Sequence, residues 1–282
     1  MIILNKIIDM KCQINNWKKS GLTVGFVPTM GYLHEGHLSL VRRSAAENDR
    51  TVVSIYVNPA QFAPNEDLAD YPRNFEMDAG LCEINGVHLV FFPDNDEMYG
   101  ENYATFVEAG KLAENLCGKS RPEHFRGVCT VVCKLLNIVS PDRAYFGQKD
   151  AQQLAVIKRM VRDLDMDAEV IGCPIVREPD GLAMSSRNAY LSPEERKAAA
   201  VLSRAVFAGE RLVRGGERDA ERLIAEMTGI IQTEPSVRID YVEAVDAGNI
   251  AKINGLKGQV LVAAAIFIGR TRLIDNFIAK VE

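Results

Sequence analysis

The stretch Val24–Val41, VGFVPTMGYLHEGHLSLV, decides how the rest of the chain is read. Val24 to Val27 is a short apolar run suited to a buried strand, and Pro28, which cannot donate to a ladder, predicts its end. The chain then turns through Thr29, Met30, Gly31 and Tyr32. From Leu33 the apolar positions Leu38, Leu40 and Val41 predict a helix that begins near His34 and His37. Residues three apart share a helical face, with side chains about 5–6 Å apart. Backbone N–H groups of the first turn, with the positive end of the helix dipole, form an anion site there. Gly36 lets a ligand come close to the backbone. Three readings of the histidine pair stand side by side: an anion-binding pair, ordinary packing, or half of a metal site. The spacing i, i+3 departs from the i, i+4 spacing with an intervening Glu that marks zinc-binding helices.

Composition narrows the class. The chain has 282 residues, 47% of them hydrophobic and 25% charged, which is enough for a sizeable core in one large or two smaller domains. A net charge of −5, without any run of Lys or Arg, disfavours a nucleic-acid partner. No apolar run approaches the length of a membrane span, and MIILNKIID at the start reads as a first strand or helix rather than a signal peptide. Cysteines at 12, 82, 117, 129, 133 and 173 form no CxxC pair, so they read as thiols in a reducing cytoplasm. Cys129 and Cys133 lie one helical turn apart, where packing is the natural role.

Working outward from the first stretch, the N-terminal half alternates strands and helices. Thr51 to Val57, rich in β-branched residues, predicts a buried strand that runs into Asn58, Pro59, Ala60 and Gln61. In an open parallel sheet such loops leave the carboxyl ends of strands, where ligands bind, so Asn58 and Gln61 are candidates for a small polar substrate; a plain solvated turn is the alternative. A helix is predicted from Asn74 to Asn85 and a strand from Val87 to Phe92, with His88 reading as a satisfied core histidine. Thr105 to Val107 reads as a short strand. GKSRPEHFRG then gathers Lys119, Arg121, His124 and Arg126, donors suited to a phosphate or carboxylate and equally to a solvated surface. A helix from Val128 to Val139 and a strand from Arg143 to Phe146 lead to Gly147, Gln148, Lys149 and Asp150. This turn repeats the first: a glycine at a strand end, a Lys able to reach phosphate, an Asp at a cap position, and Gln153 in the first turn of a helix over Ala151 to Leu164. Asp167 to Ile171 predicts a further strand. DGLAMSSRNAYLS, Asp180 to Ser192, offers small hydroxyls and an Arg in a glycine-led loop, suited to a phosphate chain or to a helix entry.

From Pro193 the pattern changes to two helices, Pro193 to Arg214 and Asp219 to Thr233, and then strands over Arg238 to Ala247, Gln259 to Phe267 and Leu273 to Ala279. The fold class expected is α/β, a Rossmann-like parallel sheet followed by a smaller α+β domain. Residues 1–180 are the expected first domain, and residues 181–282 a small C-terminal α+β domain that covers it.

The string PTMGYLHEGHLSL is similar to the HIGH-type signature of a nucleotidyltransferase superfamily. Together with SIYVNPAQF, EDLADYPR, HFRGV, FGQKDAQQL and MSSRNAYLS, in that order between residues 28 and 192, it resembles the pantoate–β-alanine ligases. Gln148 stands where that family commonly has Glu, and Ala60 and Ala63 flank Gln61 where Thr or Leu and Gly are common. The resemblance implies a two-step ligation in which ATP and pantoate give a pantoyl adenylate and pyrophosphate, and β-alanine then displaces AMP to give pantothenate. It implies an ATP site formed by Met30, Gly31, Tyr32, Leu33, His34, Glu35, Gly36, His37, Gly147, Gln148, Lys149, Asp150, Val176, Met184, Ser185, Ser186 and Arg187. His34, His37, Lys149 and Arg187 would be catalytic, His37 as proton donor, with Mg²⁺ shared among the phosphates through ligands the sequence leaves unknown. Gln61 would hold pantoate and β-alanine, and Gln153 pantoate. A cytoplasmic homodimer without nucleic-acid or membrane partners is also implied. Against another nucleotidyltransferase of the superfamily stand the Gln61 and Gln153 motifs, and against a silent nucleotide sensor the presence of both histidines, Lys149 and Arg187.

Overall fold

The computed structural model describes every residue of the chain except Asn65. Two compact units are formed, the first from Met1–Ala109, Glu123–Gln148 and Val156–Pro174, the second from Gly110–Pro122, Lys149–Ala155 and Ile175–Glu282.

The first unit is built on six parallel strands, β1 (Ile2–Leu4), β2 (Val24–Thr29), β3 (Arg50–Ile55), β4 (Leu89–Phe91), β5 (Arg143–Gly147) and β6 (Glu169–Cys173), in the order β1-β4-β3-β2-β5-β6. Helices α1 (Ile7–Lys19), α2 (Glu35–Glu47), α3 (Phe75–Ile84) and α6 (His124–Val139) join them, with a short α4 (Asn95–Met98) after β4. From β2 the chain steps through β3 to β4 on one side, then returns to lay β5 and β6 on the other. The order therefore reverses between β2 and β5, the place where open parallel sheets bind ligands beyond their strand ends. Val27, Leu33, Leu40, Val41, Val53, Val90 and Tyr145 form one buried cluster that clamps α2 and α3 to the sheet.

In the second unit β7 (Val237–Asp246), β8 (Gly258–Ile268) and β9 (Thr271–Val281) form an antiparallel sheet. One face packs through Val262, Ala264, Ile266, Leu273 and Phe277 on α8 (Pro193–Arg214) and α9 (Ala220–Ile231). The other face takes Gly110–Pro122, where α5 (Cys117–Ser120) lies, and the first turn of α7 (Ala151–Asp163). Ser120 Oγ donates to Asp240 and Arg272 reaches Cys117 Sγ at 3.7 Å across that face, and Gln152 ties α7 to the same segment by holding Cys117 N–H and the carbonyls of Leu112 and Asn115.

The α/β class is as expected, with three local corrections. Pro28 does not end its strand but lies inside β2, paired with Ser54. Alternation turns its nitrogen toward the β5 side, where Val24 O accepts from Asp142 N–H and where pairing with β5 covers only Gly25 and Phe26. No ladder bond is lost, so a proline fits a central strand there. Thr105 to Val107 forms no strand; Val107 N–H donates to Thr130 Oγ1 instead. Val87 and His88 precede β4, and His88 Nδ1 accepts from Thr51 N–H, which is the satisfied role expected of it. Among the described residues all six cysteines are free, and no helix is long and apolar enough to cross a membrane.

Candidate functional site

The polar residues of the first unit gather at the carboxyl ends of β2 and β3. Beyond β2, Thr29 Oγ1 accepts from Gly31 N–H, and the chain makes two left-handed steps, Gly31 at φ 83° and Tyr32 at φ 52°. The second is uncommon for a residue with a side chain. Asp78, on α3, holds it in place: its carboxylate accepts from Tyr32 N–H at 2.8 Å and Leu33 N–H at 2.7 Å. A Cβ on Gly31 would come within 2.9 Å of Asp78 Oδ2, so glycine is what lets the carboxylate in. Burial pushes the Asp78 carboxyl above its ordinary range, and the two N–H donors work against that shift. The sequence reading missed Asp78. Its signal was an acidic residue on the apolar stripe that Phe75 and Cys82 continue on α3.

The turn delivers the two histidines to the start of α2. His34 is the cap residue, its Nδ1 accepting from Gly36 N–H at 3.1 Å, while His37 Nδ1 accepts from His34 N–H at 3.3 Å. The rings lie 4.1 Å apart between centroids, and His37 N–H donates to His34 O. Two donors of the first turn are thus taken inside the protein, a correction to the picture of a bare backbone anion site. The same bonds have a chemical consequence. A neutral imidazole whose Nδ1 accepts must carry its proton on Nε2, so both rings present Nε2–H as a donor.

Beyond β3, Asn58 is buried and fully engaged. Its amide donates to Gln61 Oε1 and Gly127 O, and its Oδ1 accepts from Tyr99 OH at 2.7 Å and from Ala60 N–H. Those four bonds use its capacity, so its effect on a ligand runs through Gln61. The Gln61 amide also donates to Met30 Sδ at 3.2 Å, which joins the strand-end turn of β3 to that of β2. His124 Nδ1 donates to Gln61 O at 2.9 Å, and Arg126 lies against Glu108 and over the Phe106 ring. These two residues of GKSRPEHFRG therefore brace the Gln61 turn and the helix entry. Gly127 matters for a reason the sequence hid: a Cβ there would lie 2.2 Å from Ala60 O and 2.6 Å from Gln61 Cα. Gly127→Ala is expected to push the Pro59–Gln61 turn off α6. Stability falls by about 1–3 kcal/mol, as for overpacking elsewhere, and urea unfolding measures it.

The remaining predicted ATP residues divide between the units. Gly147 ends β5 and Gln148 follows in the first unit, while Lys149, Asp150, Val176 and Met184 to Arg187 belong to the second. Lys149 Nζ faces Asp150 at 3.8 Å. Val176 O accepts from Met184 N–H, which closes a hairpin whose turn uses Gly181 at φ 92°. Ser185 Oγ then accepts from Arg187 N–H and starts the short helical turn Ser186–Tyr190. Of the glutamine pair, Gln152 is structural through the bonds given above, whereas the side chain of half-buried Gln153 makes no hydrogen bond among the described residues. Among the described residues no group of three His, Cys, Asp or Glu could hold a metal ion.

Fold and site define a Rossmann-like α/β protein with its polar cluster beyond the sheet's carboxyl edge. The family model described as pantoate-beta-alanine ligase matches residues 2–278, and the chain belongs to that family. It is 56% identical to the pantothenate synthetase of Caldicellulosiruptor saccharolyticus over 281 residues, which covers 100% of both chains. It is 43% identical to the pantothenate synthetase from Thermus thermophilus, whose crystal structure it matches with a TM-score of 0.92 and coverage of 98% of this chain and 99% of that one. The pantoate-beta-alanine ligase from Francisella tularensis, complexed with beta-gamma ATP and beta-alanine, is 35% identical at a TM-score of 0.79, covering 99% and 97%.

Proposed function

We propose that this chain condenses pantoate with β-alanine at the expense of ATP, giving pantothenate, AMP and pyrophosphate. In the first step a pantoate carboxylate oxygen bonds to the α-phosphorus as the bond to the β-phosphate oxygen breaks and pyrophosphate leaves. In the second the β-alanine amine attacks the acyl carbon, the bond to the adenylate oxygen breaks, and the amine proton passes to solvent. Neither step needs a protein nucleophile. What the first needs is placement and donors aimed at the charge growing on the phosphates.

The observation that carries the reading is the pair of histidines held as Nε2–H donors at the end of β2, in a chain of this family. His37 is the proposed proton donor to the phosphates and His34 its partner, with Lys149, Ser185, Ser186 and Arg187 as the donors of the second unit. Gln61, oriented by Asn58, is the proposed ligand of pantoate and β-alanine, and the uncommitted amide of Gln153 supports a second contact with pantoate. Mg²⁺ enters with ATP as part of the substrate, consistent with its preference for phosphate oxygens and water over a protein cage. The division expected from sequence, residues 1–180 for ATP and pantoate and residues 181–282 for closure, belongs to the same proposal. So do a cytoplasmic location and a homodimer, which rest on the family resemblance and which sedimentation tests for the second.

The decisive experiment measures pyrophosphate release from the purified chain with ATP, Mg²⁺ and pantoate, and then product formation after β-alanine is added. Pyrophosphate that depends on pantoate, with pantothenate only once β-alanine is present, is the expected result. ATP binding without turnover would turn the protein into a sensor, and turnover with another acid would replace the substrate.

A further inference from the structure

Adjacent residues of a strand face opposite sides of its sheet, and on β9 two adjacent polar residues use both. Asp275 and Asn276 are 1% and 3% exposed, in a strand whose neighbouring positions are largely apolar. Asp275 lies on the side of Leu273 and Phe277, which face α8 and α9. There its carboxylate takes both arms of the Arg177 guanidinium, at 2.6 and 2.9 Å. Asn276 lies on the other side, where its amide donates to Lys149 O at 2.9 Å. Asp275 also accepts from the Asn276 N–H, so the two side chains are locked to one another through the backbone.

Each partner is the root of a segment assigned above to ATP. Arg177 bridges Ala183 across the hairpin, donates to Gly181 O, and lies over the Phe207 ring of α8 at 4.7 Å. Met184 and Ser185 follow directly from that bridge. Lys149 lies in the middle of the turn before α7, and its carbonyl accepts from Asn276 of the sheet. Lysine carries a flexible four-carbon stem, so where its ammonium can reach depends on where its backbone is held.

We propose that Asp275 and Asn276 are positioning residues for the nucleotide: the dipeptide fixes the Lys149 backbone and the Arg177–Ala183 hairpin that leads into Ser185–Arg187 to one strand, so that both sets of phosphate donors keep a constant spacing. The inference rests on the reading of Lys149 and Arg187 as ATP-binding residues.

A buried ion pair that loses one partner leaves an uncompensated charge and destabilises strongly, so the test uses gentler changes. Asn276→Ala removes the bond to Lys149 O. Arg177→Lys keeps the charge but gives up the two-armed contact with Asp275. Lys149→Ala is the control for the underlying reading. KM for ATP is measured from pantoate-dependent pyrophosphate release, KM for β-alanine from pantothenate formation, and the thermal midpoint alongside. Asn276→Ala and Arg177→Lys are each expected to raise KM for ATP about fivefold, the value of one ordinary hydrogen bond, with KM for β-alanine unchanged. Both variants keeping the parent KM for ATP, with only a lower thermal midpoint, would make the dipeptide merely structural and overturn the proposal, provided Lys149→Ala impairs ATP use. Lys149→Ala with the parent KM and kcat would instead reject the assignment of Lys149, and the positioning role with it.

Discussion

His37→Asn is expected to lower pantoate-dependent pyrophosphate release about 10²–10³-fold, the usual cost of removing one donor aimed at developing negative charge, while leaving the fold intact. The asymmetry of the ring supports this choice of variant. His37 does two things with two nitrogens: Nδ1 accepts from His34 N–H and closes the cap of α2, and Nε2–H is the proposed donor to the phosphates. Asparagine places an oxygen near the Nδ1 position and has nothing at Nε2. It keeps the cap and removes the donor. His37→Gln does the reverse, carrying an amide N–H toward the Nε2 position while giving up the acceptor. It should retain more activity and lose about 1 kcal/mol of stability, the typical value of a helix cap. Single-turnover pyrophosphate release and urea unfolding on both variants separate the two functions. Pyrophosphate release at the parent rate in His37→Asn would remove His37 from the chemistry.

How far such roles are legible in sequence depends on how local they are. The start of α8 is written in three neighbours: Ser192 caps Glu195 N–H, Pro193 takes the first helical position and Glu195 reaches back to Ser192 N–H. That helix runs over the residues the sequence predicts. The strands of the second unit are legible for the same reason, since alternation and β-branching are properties of a few adjacent residues. Pro28 misleads because the rule against proline in a central strand holds only where the neighbouring ladder continues, and the extent of pairing between β2 and β5 is set by residues more than a hundred positions away. Asn58 and Gln61 look alike in sequence as polar residues after a strand. Only the contacts of Gly127 and Tyr99 show that Asn58 is spent on the fold. Gln152 and Gln153 are separated in the same way, by the carbonyls of Leu112 and Asn115, which occupy the first and leave the second. Histidines at 34 and 37 are visible as a pair, yet the tautomer that makes them donors follows from a capping geometry that histidine seldom supplies.

Asp78→Ala is expected to have the largest effect on both stability and turnover, although Asp78 lies outside every motif. Its carboxylate is the acceptor for two consecutive N–H groups, those of Tyr32 and Leu33. Alanine leaves both without it. A buried donor without its partner costs about 1–3 kcal/mol, and the left-handed Tyr32 backbone adds a preference for relaxing away from its native turn. The combined loss should reach about 2–5 kcal/mol, a large share of the stability of a typical domain. The functional loss follows from the same geometry, because the turn that relaxes is the one that sets His34 as cap of α2. Asp78→Asn distinguishes the acceptor from the charge. Burial raises the Asp78 carboxyl above its unfolded range, so in the native state this group binds its proton more readily than in the unfolded one. Its contribution to stability is therefore greatest at low pH and declines as pH rises through the raised value. Asparagine carries no such titration and keeps one acceptor, so the variant should be more stable than Asp78→Ala at neutral pH and lack that part of the pH dependence. It still presents an amide N–H toward one of the two backbone donors, and pyrophosphate release should fall. Urea unfolding at pH 5 and pH 8, with turnover at neutral pH, reads all three quantities. Parent stability and parent turnover in Asp78→Ala would mean that the Gly31–Leu33 turn holds its shape without the carboxylate.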